Sequence, residues 1–197
     1  MKKSLFLLLV FALSIPGFVL AQSFKLIDGN FDVIKKEKKV NLEFTYENMG
    51  VGKFEKEEDY VKQKIADYNE KEPGRGEKWA ASWIADRKNR YQPNFVQLYD
   101  KYAETQMVGD YKDAKYTMIM NTFYTEPGYN IYVSKKNALI NADFLIVETA
   151  DRSKVIAKIR MMKAPGRTMG GDDYDTGARI EESYAVAGKR LALFIMK

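Results

Sequence analysis

The chain has 197 residues, a net charge of +5 and 46% hydrophobic residues, and it contains neither cysteine nor histidine. The two missing residue types exclude disulfides, thiolate and imidazole metal sites, Ser-His-acid and Cys-His nucleophile systems, and the usual neutral-pH proton shuttle. The remaining chemistry belongs to carboxylates, lysine, tyrosine and oxygen-ligated ions such as calcium, and no cofactor is expected.

The N-terminus has the layout of a secretory signal. Lys2 and Lys3 precede the apolar run Leu5 to Leu13, Pro16 and Gly17 break it, and Val19-Leu20-Ala21 meets the small-residue rule for cleavage near Ala21-Gln22. The run is shorter than the roughly 20 residues a membrane-spanning helix needs. Residues 1–21 therefore read as a signal peptide and residues 22–197 as one domain with no transmembrane segment, located in a periplasm or outside the cell. No cysteine follows the run, so lipidation at a cysteine is excluded. Removing the two signal lysines lowers the net charge to +3. That charge is mixed in sign along the chain and forms no basic stripe, so nucleic acid is not an expected partner.

Phe24 to Ile27 and Phe31 to Ile34 read as short strands around the turn Asp28-Gly29-Asn30. The lysines at 35, 36, 38 and 39 surround Glu37 in a solvated turn. Val40, Leu42, Phe44 and Tyr46 alternate with polar residues, which predicts a strand with one buried and one wet face. Asn48 to Phe54, with two glycines, reads as a loop. Residues 56–68 carry Val61, Ile65 and Tyr68 at helical spacing behind three first-turn acids. After the "EKEPGRGEKW" interruption a second helix runs to Tyr91, with Trp79, Trp83, Ile84 and Arg87 on one side. Pro93 fits the first turn of a third, whose stripe is Phe95, Leu98, Tyr99 and Tyr102.

Tyr116 to Tyr124 is apolar on both faces, the mark of an interior strand. Glu126-Pro127-Gly128 is a turn, and "YNIYV" reads as a further short strand. Residues 138–149 and 154–162 form a hairpin, with Val155, Ala157, Ile159 and Met161 facing one way. Ala164 to Gly171 reads as a loop before a last helix with Ile180, Tyr184, Ala187, Leu191 and Phe194 on one stripe. The sum is an α+β (mixed α/β) domain, a predominantly antiparallel sheet packed with helices, the C-terminal helix on the sheet.

Three groups of residues invite a functional reading. In "GGDDYD", Asp172, Asp173 and Asp175 supply oxygen ligands of the kind calcium takes. A calcium-loop register from Asp173 fails, because it puts Gly177, Ala178 and Tyr184 where an oxygen donor, Gly and Glu are required. Helix capping explains more. Asp175 or Thr176 accepts from the first free N–H groups of the last helix, and Asp172 and Asp173 add charge at its positive end.

Second, Arg75 and Lys78 beside a Pro-Gly turn, with Arg167 in a second Pro-Gly-Arg, could hold an anion or acidic glycan if the two segments converge. Third, Trp79 and Trp83 could stack on a sugar, although the same spacing makes a core stripe and that reading is preferred.

The segments "YENMGVGKFEKEEDYVKQK", "KEPGRGEKWAASWIADRKNRYQPNF", "FYTEPGYNIYVSKKNA" and "GGDDYDTGARIEESYAVAGK" resemble a family of small uncharacterised secreted proteins of Gram-negative bacteria. That resemblance implies secretion and assigns no catalytic residue. The hairpin, Gly-rich loop and final helix also resemble, at the level of fold, the α/β domains of curli-secretion-type lipoproteins and of the N-terminus of the Tol-system propeller protein. This second likeness transfers no function. The leading expectation is a non-catalytic domain that binds a protein partner or envelope assembly. The alternative is an anion or glycan binder using Arg75, Lys78, Arg167, Trp79 and Trp83, and the third is a carboxylate-dependent hydrolase.

Overall fold

A computed structural model describes residues 22–166 and 175–197. The expected signal peptide and the segment holding Arg167, Asp172 and Asp173 lie outside the described residues. In chain order the elements are β1 (Ser23–Gly29), β2 (Lys39–Thr45), β3 (Gly50–Val51), α1 (Glu57–Asn69), α2 (Arg75–Asp86), α3 (Gln92–Ala103), β4 (Met107–Gly109), β5 (Tyr116–Glu126), β6 (Tyr129–Asn130), β7 (Lys135–Lys136), β8 (Ala138–Glu148), β9 (Val155–Gly166) and α4 (Thr176–Ile195).

The main sheet runs β1-β9-β8-β5-β2-β4, with β3 also paired to β5. Its long ladders, β1 to β9 to β8 to β5, are antiparallel, whereas β2, β3 and β4 pair in parallel. The expected fold class is the one observed. Cross-strand rows show how the sheet sorts its two faces. Phe44, Met120, Phe144, Ile159 and Leu26 lie side by side in one row; the next holds Thr45, Asn121, Asp143, Arg160 and Lys25.

The apolar row meets α3 and α4, where Phe95 packs against Phe44 and Phe144 at ring distances of 5.6 and 6.1 Å. Each such large side chain taken from water contributes about 1.5–3 kcal/mol. The polar row is satisfied laterally. Arg160 grips Asp143 with two hydrogen bonds of 2.7 and 2.8 Å, and Thr45 donates to Asn121.

Helix α4 places Ile180, Tyr184, Ala187 and Leu191 in the core, as their spacing predicts. It approaches α3 closely at Gly188, where an added Cβ would lie 3.0 Å from the Phe95 carbonyl carbon.

Several local expectations are corrected. Phe31 to Ile34 is no strand: the chain turns there into a single 3-10 turn, Ile34–Lys36, and Ile34 is buried as a plug. The polar face of β2 is wet only in part: Glu43 and Thr45 are half-buried, Glu43 reaching Arg152 at the surface, but the face closes over at Asn41. Asn41 is buried, donating to Thr117 and accepting from the Tyr111 N–H. Gly50–Val51 adds a two-residue strand inside the expected loop, and residues 164–166 complete β9 instead of beginning a loop. Only Tyr129 and Asn130 of "YNIYV" are in a strand.

Pro93 stands in the first turn of α3, as expected, but no break separates that helix from α2. Arg87–Tyr91 form a π-turn that joins α2 to α3 without interruption. Proline lacks an N–H and its ring crowds the carbonyl four residues back, and a widened turn relieves both conflicts. The extra residue turns the following side chains by about 100°. Tyr91 then lies flat against Tyr184, 5.1 Å between centroids.

Candidate functional site

The first candidate group divides. Gly74 adopts φ +81, which lets the chain turn directly into α2, and leaves Arg75 and Lys78 exposed on its first turn. The Arg75 guanidinium lies 5.3 Å over the Tyr68 ring. The helix start is not an open anion site, however, because Asn69 of α1 accepts from the Gly76 N–H at 2.8 Å. The second Pro-Gly-Arg does not repeat this turn. Pro165 and Gly166 belong to β9, opposite Leu139 and Ala138 of β8, and Arg167 lies outside the described residues.

The tryptophans form a seam between α1 and α2. Trp79 and Trp83 stack at 5.6 Å, and Tyr60 tilts against both. Trp83 is 6% exposed and donates through Nε1 to Glu57 at 2.5 Å, and the same carboxylate binds Arg87. Packing supplies the reason for this spacing. Ile84, expected on the same side, is instead half exposed. There it lines an apolar groove of about 460 Å³ with Val61 and Ile65.

Asp175 is the N-cap of α4, its carboxylate accepting from the Gly177 N–H at 2.8 Å and holding Arg90 at 2.7 Å. Arg90 also reaches Asp86, whose carboxyl is pushed up by burial against the opposing pull of Arg90. Asp172 and Asp173 lie outside the described residues. Among the described residues no group of three or more acids could hold a metal ion. Burial also pushes the phenols of Tyr91 and Tyr184 upward, so both stay neutral in the core.

Two further clefts flank α1. One, of about 650 Å³, is lined by Tyr46, Asn48 and the acids at 55, 57, 58 and 59. Glu57 is committed to Trp83 and Arg87, and the other three acids are exposed. The second, of about 380 Å³, has Phe54, Tyr60 and Tyr129 among its walls together with Lys53, Lys64 and Glu126. The Lys64 ammonium stands over both Tyr60 and Tyr68, bringing the Arg75–Tyr68–Trp79 cluster to its edge.

Two surface features carry no signal that periodicity could have reported. The sheet ends on one side in β4, three residues long, and on the other in β1, seven residues of which six are exposed, with Leu26 and Ile27 39% and 43% exposed. Beside the sheet, β6 and β7 form a separate two-stranded ribbon whose tip is Ile131, Tyr132 and Val133. Among the described residues no helix is long and apolar enough to cross a membrane.

The described residues thus form a mixed α+β fold with a long sheet edge, β1, that no other described strand pairs, and a separate two-stranded ribbon. No family model matches the chain, and no curated protein sequence matches it. Among solved structures it is similar to the PelC dodecamer from Paraburkholderia phytofirmans, at 8% identity and a TM-score of 0.36, over 84% of this chain and 97% of that one. A point variant of that dodecamer in another space group gives 9% identity, the same TM-score and the same coverage. A likeness of this size carries no argument about what the chain does.

Proposed function

We propose that the protein is a non-catalytic domain of the periplasm or extracellular space, released by cleavage near Ala21-Gln22, that binds a protein partner by strand addition along β1. The observation that carries this reading is the contrast between the two sheet edges. β4 is too short to template a strand, whereas β1 presents a seven-residue edge with exposed Leu26 and Ile27. An open edge of that kind pairs with an extended segment of another chain, main-chain hydrogen bonds giving affinity and alternate side chains selectivity. The register of β1 with β9 shifts between Leu26 and Asp28 and resumes through Gly29, so Ile27 stands at the irregularity.

The test is a photo-crosslinking residue at Ser23 in the native envelope. A discrete protein adduct that disappears in the Ile27→Lys variant supports strand addition. An adduct unchanged by that substitution, or none from a folded and abundant protein, refutes it.

A second reading, an acidic glycan or other anion held at the 380 Å³ cleft, draws support from Lys53, Lys64 and Arg75 standing over aromatic rings. Calorimetric titration with uronate oligosaccharides tests it, and no heat of binding would end it. A carboxylate-dependent hydrolase gains no support from the larger cleft, since its exposed acids lack the secluded setting that makes a general acid.

A further inference from the structure

The β6–β7 ribbon ends in three consecutive apolar residues that the fold leaves in water. Ile131 is 62% exposed, Tyr132 90% and Val133 85%. Single exposed apolar residues are ordinary, but three in a row at the tip of a projection are not. Four further observations bear on what the tip meets.

Its backbone donors are already satisfied within the ribbon. The Ile131 N–H donates to the Ser134 carbonyl at 3.0 Å, that of Tyr132 to Asn130 Oδ1 at 3.1 Å, and that of Val133 to the Ile131 carbonyl at 2.8 Å. A hydrocarbon environment demands this, because it offers unpaired N–H groups no partner. Residues suited to a membrane–water boundary stand directly behind the tip: half-exposed Tyr129, with exposed Lys135 and Lys136 on the return strand.

Tyr132 holds φ +70, a left-handed conformation unfavourable for a residue with a side chain, and one that glycine would adopt freely. The base is anchored. Gly128 at φ +64 brings the chain within 2.7 Å, measured from an added Cβ, of the Ala138 nitrogen. Buried Arg179 of α4 donates to the Pro127 and Gly128 carbonyls, and Lys136 pairs with Glu126 at 2.5 Å.

From these we infer that the ribbon tip inserts into the interfacial region of an anionic lipid surface. The area decides against a protein pocket as the occupant. Three such side chains present roughly 400 Å², about half of the ~800 Å² per partner that a stable protein interface buries. A shallow apolar tip backed by exposed lysines, of which Lys136 is shared with Glu126, combines in contrast the apolar burial and basic charge of a two-part anchor for reversible membrane attachment. This inference is independent of strand addition at β1.

The experiment uses the processed protein and vesicles of phosphatidylglycerol and phosphatidylethanolamine, with phosphatidylcholine vesicles for comparison. The protein is expected to co-sediment with the anionic vesicles at least about tenfold more strongly than with the neutral ones, and to be released by salt. A Tyr132→Trp variant is expected to shift its emission to the blue on binding and to be quenched by acyl-chain-brominated lipid. Tyr132→Gly removes the inserted ring while relieving the backbone, so it should keep or raise the melting temperature and still lose binding.

Absence of vesicle binding overturns the inference. So does binding that Tyr132→Gly leaves unchanged, or a tip that crosslinks to a protein in the envelope while ignoring vesicles.

Discussion

Replacing Asp175 with alanine removes two interactions whose sizes follow from the geometry. The N-cap hydrogen bond to Gly177, 2.8 Å long, is worth about 1 kcal/mol by the usual effect of deleting such a cap. The Arg90 ion pair is half in water, with side chains 38% and 50% exposed, so it adds only the few tenths to 1 kcal/mol of a surface pair. The expected loss is about 1.5 kcal/mol, which for a chain of this size lowers the melting temperature by about 3–6 °C.

Asp175→Asn separates the two parts, since asparagine caps equally well but carries no charge. Burial raises the Asp175 pKa, but Arg90 and the Gly177 N–H outweigh it and hold the carboxyl below its ordinary value. The charge-dependent part is therefore complete above the unfolded value near about 3.9 and is lost as the pH falls through the lower folded one. Thermal melts from pH 7 down to pH 3 should show the gap between native and Asp175→Asn proteins closing at the acid end. The gap between Asp175→Asn and Asp175→Ala should persist. Equal melting temperatures for all three would refute the capping argument, as would micromolar calcium binding that vanishes in the alanine variant.

At Gly188 an added Cβ would lie 3.0 Å from the Phe95 carbonyl carbon, backbone that cannot swing aside, so Gly188→Ala is expected to cost about 1–3 kcal/mol despite alanine's better helix propensity. Urea denaturation decides the sign. Glu57→Ala leaves the Trp83 N–H and Arg87 without their acceptor; the expected cost is about 1–3 kcal/mol, accompanied by a shift in tryptophan emission. The Arg160 hydrogen bonds, then charge attraction from Arg160 and Lys158, hold Asp143 below its ordinary pKa despite burial. Asp143→Asn should accordingly destabilise by about 1–2 kcal/mol at pH 7 and by little once the native carboxylate is protonated. Melting curves at the two pH values check it.

Much of the architecture was legible because the signals were local. The alternation from Val155 to Met161 and the four-three spacing of α4 each report a face that is buried along most of its length, Val155 at the strand start being half exposed and Phe194 partly buried. β2 misled for a physical reason. Alternation records which side chains are apolar and says nothing about what lies alongside, and a parallel neighbour on each edge buried Asn41 through hydrogen bonds that polar residues make well. Pro93 marked the first turn of α3, but proline suits the residue after a π-turn as well as a fresh helix start, so the continuity of α2 with α3 was not legible. The capping role of Asp175 was readable from its position, but its bond to Arg90 spans 85 residues and depends on the rotation the π-turn imposes.

The candidate ligand residues were legible as residue types and not as a site. Trp79 and Trp83 have the spacing of a sugar platform, yet the same spacing closes the α1–α2 seam, where Trp83 is buried and Trp79 half-buried. The ribbon shows the opposite failure. Ile131, Tyr132 and Val133 are good strand formers, so a sequence reading assigns them to a sheet that would hide them. Whether they are hidden depends on where the ribbon leaves the body, and Gly128 and Arg179 set that departure. A loosely tethered apolar tip would fold back onto the surface. Fixed at its base by α4 and satisfied along its own backbone, this one is held in water already shaped for what it meets, so binding costs little further ordering.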